Sequence, residues 1–112
     1  MFSGSVLEKI LNDLVCGVRE IYKDDLHSVI LYGSYARGDY DEESDIDIMV
    51  LADVPLQKLG EFSKQIDELC GRLLYDYGLV VSVTERDTQT YYRYADVLPF
   101  YKNIEREGIK VA

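Results

Sequence analysis

Two aspartates near the middle of the chain, Asp45 and Asp47, are separated by one isoleucine at the start of the apolar run IDIMVLA. Side chains two positions apart on a strand point to the same face, so the two carboxylates are expected to lie side by side. Adjacent carboxylates repel each other unless a cation lies between them. A hard divalent ion, Mg²⁺ or Mn²⁺, suits such oxygen ligands and keeps positions open for phosphate oxygens. The alternative is a solvated acidic strand start beside the acidic loop DYDEESD.

A glycine–serine pair, Gly33 and Ser34, closes the preceding apolar run SVILY, and ten residues separate it from Asp45. Glycine lets backbone N–H groups approach an anion closely, and the serine adds a hydroxyl donor. Arg37 follows three residues later, and its guanidinium can bind phosphate through two hydrogen bonds. A plain strand-ending turn, with Arg37 paired to nearby acids, is the alternative. The two segments together predict a phosphate-binding turn next to the site of its metal.

The apolar pattern predicts the elements that position these residues. It indicates a helix over 4–23 with Ser3 or Ser5 as its N-cap, and strands over 28–32, 46–52 and 79–84, with a last one at 109–111. A short helical turn is expected at 35–40, a long helix from Asp53 and Pro55 to Gly78, and helices over 87–95 and 99–107. This order predicts one α/β domain, residues 1–112, with helices packed against a sheet.

Charge and composition exclude several classes of function. Twelve basic and 21 acidic residues give a net charge of −9, which repels a nucleic-acid backbone but not a phosphorylated ligand carrying a divalent cation. The sequence has no run of 18 apolar residues and no signal-peptide pattern, so we expect a cytoplasmic protein that does not bind membranes. Cys16 and Cys70 are predicted to be free thiols buried in the core.

The segment from Gly33-Ser34 to Asp45-Ile46-Asp47, flanked by two apolar strands, resembles the signature of the DNA polymerase β-like nucleotidyltransferases. The length and layout are most similar to the minimal nucleotidyltransferases, which are often encoded beside a HEPN-domain partner. The resemblance covers roughly residues 26–110 and implies a mixed sheet of about three to five strands. It also implies a partner, either a HEPN-domain protein or further copies of the chain.

The resemblance implies a reaction as well, the transfer of a nucleoside monophosphate from an NTP, expected to be ATP, to a hydroxyl on a partner protein. Gly33 and Ser34 match the turn that binds the phosphates, and Asp45 and Asp47 match the ligands of Mg²⁺ or Mn²⁺. Arg37 lies in the GSYARG segment that the family often shows. In a HEPN pair, such a protein would be the antitoxin.

The sequence departs from the family at the third carboxylate, which should come from the strand 79–84. Ser82 occupies the expected place, and a different register would bring in Asp76, Glu85 or Asp87. Two functions therefore stay open: an active transferase, or a catalytically weak module that binds a HEPN toxin. An acidic α/β domain of unrelated function is the third possibility.

The length leaves no room for the second, helical domain that larger relatives use to bind the base or the acceptor. These surfaces are therefore expected to come from another chain. The tyrosine-rich segment 91–101 is a candidate contact surface. The alternative is a helix pair that packs its tyrosines over the sheet.

Overall fold

The computed structural model describes residues 5–112. In chain order the elements are α1 (Val6–Tyr22), β1 (Leu26–Tyr32), α2 (Ser34–Arg37), β2 (Ile46–Ala52), α3 (Ser63–Tyr77), β3 (Val81–Asp87), α4 (Thr88–Tyr94), α5 (Pro99–Glu107) and β4 (Ile109–Lys110), with 3₁₀ turns at Lys23–Asp25 and Leu56–Phe62. Ser5 is the N-cap of α1, because its hydroxyl accepts a hydrogen bond from the backbone N–H of Glu8 at 3.0 Å. The other predicted cap, Ser3, lies outside the described residues.

The four strands form one sheet in the order β3-β2-β1-β4. Strand β1 pairs antiparallel with β2 and with β4, whereas β2 and β3 are parallel because α3 connects them. The predicted α/β class with a mixed sheet and packed helices is confirmed. No helix within residues 5–112 has the length and apolar character needed to cross a membrane.

The two faces of the sheet bury apolar clusters of different size. Side chains of β2 alternate between them, since Ile46, Ile48 and Val50 face the larger cluster while Met49 and Leu51 face the smaller one. Helices α1 and α3 cover the larger cluster with the buried residues Ile10, Leu14, Val18, Ile66, Leu69 and Leu73. Helices α4 and α5 cover the smaller one with Tyr91, Tyr101 and Ile104.

The tyrosine-rich segment divides its aromatic side chains between core and surface. Tyr91 and Tyr101 are buried over the sheet, as the packing interpretation predicts. The Tyr91 hydroxyl donates to Glu105 at 3.1 Å, so its polar group is satisfied. Tyr92 and Phe100 are exposed, so part of the segment also presents aromatic surface to solvent.

Three local predictions were wrong. A 3₁₀ turn precedes α3, so the α-helix begins at Ser63 rather than near Pro55. Strand β3 begins and ends later than predicted, because its pairing with β2 continues to Asp87. Cys16 is exposed and Cys70 is only partly buried. The buried stripe of α1 includes Val15 and Val18 but passes beside Cys16, which leaves its thiol on the solvent side.

Candidate active site

The candidate site begins where β1 ends and the chain turns into α2. Gly33 has a φ of +75°, in a region that favours glycine, and its carbonyl accepts hydrogen bonds from the N–H groups of Ala36 and Arg37, both at 3.1 Å. The turn ends at Gly38, which has a φ of +86°. The predicted short helical turn is therefore present, but it begins one residue earlier than expected, at Ser34.

Gly33 also lies directly against the carboxylate of Asp47. A Cβ atom at this position would collide with the Asp47 Oδ2 atom. Close packing and backbone conformation thus each require glycine here. Tyr32, the last residue of β1, pairs with Asp47 in the antiparallel register, which brings the turn and the carboxylate together. The predicted phosphate turn therefore adjoins one of the predicted metal ligands.

The electrostatics of the aspartate pair favour a bound cation. Asp47 is partly buried on the face of the sheet that α4 and α5 cover, and Asp45 is exposed just before β2. Burial raises the pKa of the Asp47 carboxyl, the charge of Asp45 raises it further, and Arg37 opposes both effects. Asp45 and Asp47 are thus close enough to repel each other, as their spacing predicts. Oxygen ligands of this kind fit a hard divalent ion.

A cavity of about 370 Å³ opens beside the turn. Four of the five predicted site residues line it, namely Gly33, Ser34, Arg37 and Asp47. The fifth, Asp45, does not line the cavity. Its charge raises the pKa of Asp47, which does line it. The opposite wall consists of Phe100, Asn103, Ile104 and Glu107, all from α5. A nucleotide entering the cavity would therefore contact both the turn and this helix.

Arg37 pairs with nearby acids, which is one of the alternatives that the sequence left open, and it also lies at the cavity. Its guanidinium lies at the cavity, where its positive charge lowers the pKa of Asp47. The same group bonds the carboxylates of Asp39 at 3.2 Å and Glu107 at 3.4 Å. Because Arg37 is exposed, with 43% of its side-chain surface accessible, these pairs are weak and a phosphate can displace them.

The parallel register decides which residue of β3 lies next to the dyad. Ser82 pairs with Asp47, so a serine lies where the family's third carboxylate was expected. Glu85 pairs with Val50 and therefore points to the opposite face of the sheet. Its carboxylate there accepts a hydrogen bond from the hydroxyl of Tyr22. Glu85 is thus a structural group of the larger core, separated from the dyad by the sheet.

The other two candidate carboxylates also lie elsewhere. Asp76 is on α3, where it pairs with Arg72 at 3.4 Å. Asp87 caps α4 by accepting a hydrogen bond from the Thr90 N–H at 3.0 Å, at the far end of β3. Within residues 5–112, no group of three or more His, Cys, Asp or Glu side chains is arranged to hold a metal. The described residues therefore offer a dyad rather than a triad.

A larger cavity lies elsewhere among the described residues. It measures about 580 Å³ and lies at the other end of β2 and β3, beside Asp53, Asp87 and Arg93. None of the five predicted residues lines it. The smaller cavity is the better candidate because four of the predicted site residues line it, among them Asp47, whose pKa is raised by burial and by the charge of Asp45.

The wall formed by α5 was missed in the sequence. Phe100, Asn103, Ile104 and Glu107 recur at the three- and four-residue spacing of one helix face. That spacing indicates a shared face but not what the face contacts. Contacts between residues far apart in sequence place this face against the turn, namely the pairing of β4 with β1 directly after α5 and the Arg37–Glu107 ion pair.

Comparison with known proteins agrees with this geometry. The family described as "Nucleotidyltransferase domain" matches residues 11–111. The chain belongs to this family. A relative from Methanocaldococcus jannaschii, "Putative protein adenylyltransferase MJ0604", is 37% identical over 101 residues, which cover 90% of this nucleotidyltransferase chain and 93% of the relative. A second relative from the same organism, "Putative protein adenylyltransferase MJ0141", is 33% identical over 104 residues, which cover 92% of this chain and 96% of the relative.

Solved structures share the fold of this minimal nucleotidyltransferase at lower sequence identity. A toxin–antitoxin structure with AMP-PNP aligns with a TM-score of 0.60 and 22% identity, covering 91% of this chain and 72% of the other. A mutant of the toxin–antitoxin MntA-HpeT aligns with a TM-score of 0.57 and 20% identity over the same shares. These matches show that the four-stranded sheet and its helices have the architecture of nucleotidyltransferases.

Proposed function

We propose that this nucleotidyltransferase transfers AMP from Mg²⁺- or Mn²⁺-bound ATP to a hydroxyl group on a partner protein. The observation that carries the proposal is the convergence of Gly33, Ser34, Arg37 and Asp47 on one cavity, with Asp45 beside it. The relatives named as protein adenylyltransferases support AMP as the group and protein as the acceptor. The metal would be held by Asp45 and Asp47, and it would neutralise the triphosphate charge when bound.

In the proposed reaction, each residue has a limited task. Gly33 permits close approach of the phosphates to the backbone, Ser34 donates a hydrogen bond, and Arg37 leaves its carboxylate partners to bind phosphate. The acceptor oxygen forms a bond to the α-phosphorus while the bond to the departing pyrophosphate breaks. The hydroxyl proton leaves to solvent, because within residues 5–112 no third carboxylate faces the dyad.

The proposed partner is a HEPN-domain protein, for which this chain is the antitoxin. Its structural neighbours are toxin–antitoxin components, which supports a partner of that kind. Sequencing the adjacent reading frame tests the pairing directly. Absence of a helical HEPN-type product there, and of any complex with a purified HEPN protein, would contradict the pairing but leave the transfer reaction open.

The test of the reaction is incorporation of label from α-labelled ATP into the neighbouring gene's product, with calorimetry of Mg·ATP in parallel. The wild type should bind Mg·ATP and transfer label, and the Asp45→Asn/Asp47→Asn double variant should do neither. Equal binding by both proteins would disprove the metal role of the pair. A folded wild type that binds no Mg·ATP would disprove the proposal.

A second function, that of a catalytically weak binding partner, is favoured by Ser82 beside Asp47. Under it, the wild type binds Mg·ATP and its partner but transfers AMP very slowly. Ser82→Asp would then accelerate transfer, since a third carboxylate would strengthen metal binding, and a bound metal would lower the pKa of the attacking hydroxyl. Rapid transfer by the wild type, with no gain from Ser82→Asp, would exclude this second function.

A further inference from the structure

The cavity beside the glycine turn has both polar and aromatic lining residues. Gly33, Ser34 and Asp47 supply polar groups. Beside them, the rings of Tyr32 and Phe100 meet edge to face, with centroids 5.6 Å apart and planes inclined at 79°. This combination matches the two parts of a nucleotide, since phosphates need donors and charge while a base needs a flat π surface.

The position of Phe100 is unusual for its helix. Helix α5 buries Tyr101 and Ile104 in the smaller core cluster, whereas Phe100 remains 42% exposed at the cavity. The edge-to-face contact with Tyr32 holds the phenyl ring on one side. The ring is thus supported by the protein and still accessible, which is the arrangement that base–aromatic stacking requires.

We propose that Phe100, supported by Tyr32, is the platform on which the base of the nucleotide stacks, so that this chain carries its own base site. The inference rests on the proposed function and extends it, and it replaces the expectation that another chain supplies the base surface. A volume of about 370 Å³ lies in the range of ligand pockets. A purine presents the larger π surface, so ATP and GTP should bind more tightly than CTP and UTP.

The test compares a ligand that has a base with one that lacks it. Calorimetry with Mg·ATP and Mg·tripolyphosphate would be run on the wild type, Phe100→Ala and Phe100→Tyr. The alanine variant should bind ATP about 5- to 150-fold more weakly, the range of one lost base stack. Its affinity for tripolyphosphate should not change, and Phe100→Tyr should remain close to the wild type because it keeps the ring.

Tyr75→Ala serves as the matched control, because Tyr75 is an aromatic residue with 88% exposure that lies on α3 and lines none of the cavity. It should bind both ligands as the wild type does. The preference for ATP over UTP should also shrink in Phe100→Ala. Thermal melts of each variant check that it is folded. We expect the Phe100 variants to fold, because the side chain is exposed.

Each contrary result has a distinct meaning. Unchanged ATP binding by Phe100→Ala, or an equal loss for ATP and tripolyphosphate, would overturn the base platform. A wild type that binds tripolyphosphate as tightly as ATP would also overturn it, yet leave the proposed transfer reaction intact. A wild type that binds neither ligand would overturn the proposed function and the base platform together.

Discussion

Two partly buried carboxylates on neighbouring strands, Asp47 on β2 and Glu85 on β3, have opposite surroundings. Burial raises the pKa of both carboxyls. Glu85 accepts a hydrogen bond from the hydroxyl of Tyr22, so its charge has a partner within the core. Asp47 lies beside Asp45, whose like charge raises its pKa further, and it borders an open cavity.

The difference shows that burial by itself does not mark a functional carboxylate. A structural acid is satisfied by its own protein, as Glu85 is by Tyr22. Asp47 instead adjoins the glycine turn and the Arg37 guanidinium, and a bound cation would relieve its repulsion from Asp45. Four predictions test this contrast, from the largest expected effect to the smallest.

Removing the charge of Asp47 or of Glu85 should distinguish a metal-binding carboxylate from a structural one most clearly. Mutation of groups that merely support a metal ligand costs about 10- to 100-fold in metal affinity, so Asp47→Asn, which alters a direct ligand, should weaken Mg·ATP binding by at least about 100-fold. Glu85→Gln should bind Mg·ATP as the wild type does, because it changes only the opposite face. Calorimetry measures both. A comparable loss in Glu85→Gln would abolish the distinction.

The glycine turn should matter more than any one donor on it. Gly33→Ala places a Cβ against Asp47 at a positive φ and should destabilise the fold by about 1–3 kcal/mol while it weakens nucleotide binding. Ser34→Ala should cost about 1 kcal/mol of binding, the scale of one hydrogen bond. Gly71→Ala is the control, because that helix position has open space and no positive φ. A Gly33→Ala protein with normal stability and binding would contradict the packing argument.

The pH dependence of stability tests Glu85. Its folded pKa is raised above the ordinary value of 4.5, chiefly by burial and also by the charge of Asp67, while the Tyr22 hydrogen bond lowers it. The folded wild type therefore binds more protons than the unfolded chain, and its stability falls as pH rises from about 4.5 through the folded pKa. Glu85→Gln lacks this pH-dependent loss of stability. The Tm of the variant minus the Tm of the wild type should therefore be larger at pH 7 than at pH 4. The opposite trend would mean that the hydrogen bond from Tyr22 lowers the pKa of Glu85 by more than burial raises it.

The smallest effect is expected where Glu107 pairs with Arg37 across the cavity. Exposed ion pairs contribute about 0.2–1 kcal/mol, so Glu107→Gln should tighten Mg·tripolyphosphate binding by only about two- to fivefold. The gain has two sources, a more available guanidinium and one less negative charge near the phosphates. Glu105→Gln provides a comparison, because Glu105 does not line this cavity and a glutamine there can still accept the hydrogen bond from Tyr91. Weaker binding in Glu107→Gln would indicate that Glu107 itself helps to hold the metal.

Much of the fold, but only half of the candidate site, follows from local sequence. The run SVILY-Gly33-Ser34 and the spacing of Asp45 and Asp47 carry their own structural signal, because a strand end and side-chain alternation are local properties. The wall of α5 carries no such signal. Phe100 reaches the cavity through a pairing between β4 and β1, and residues far apart in sequence determine that pairing.

The β4 pairing also determines the mechanics of the cavity. Ile109, two residues after Glu107, pairs with Leu31 of β1, so the C-terminal end of α5 is fastened to the strand that precedes the glycine turn. The helix extends from that anchor for about 12 Å at 1.5 Å per residue. Near the other end of the helix, Tyr101 is buried in the smaller cluster, and its hydroxyl accepts a hydrogen bond from the Arg86 guanidinium at 2.9 Å. Helix α5 is thus attached to the sheet at both ends, and the far wall of the cavity is held as firmly at Phe100 as at Glu107.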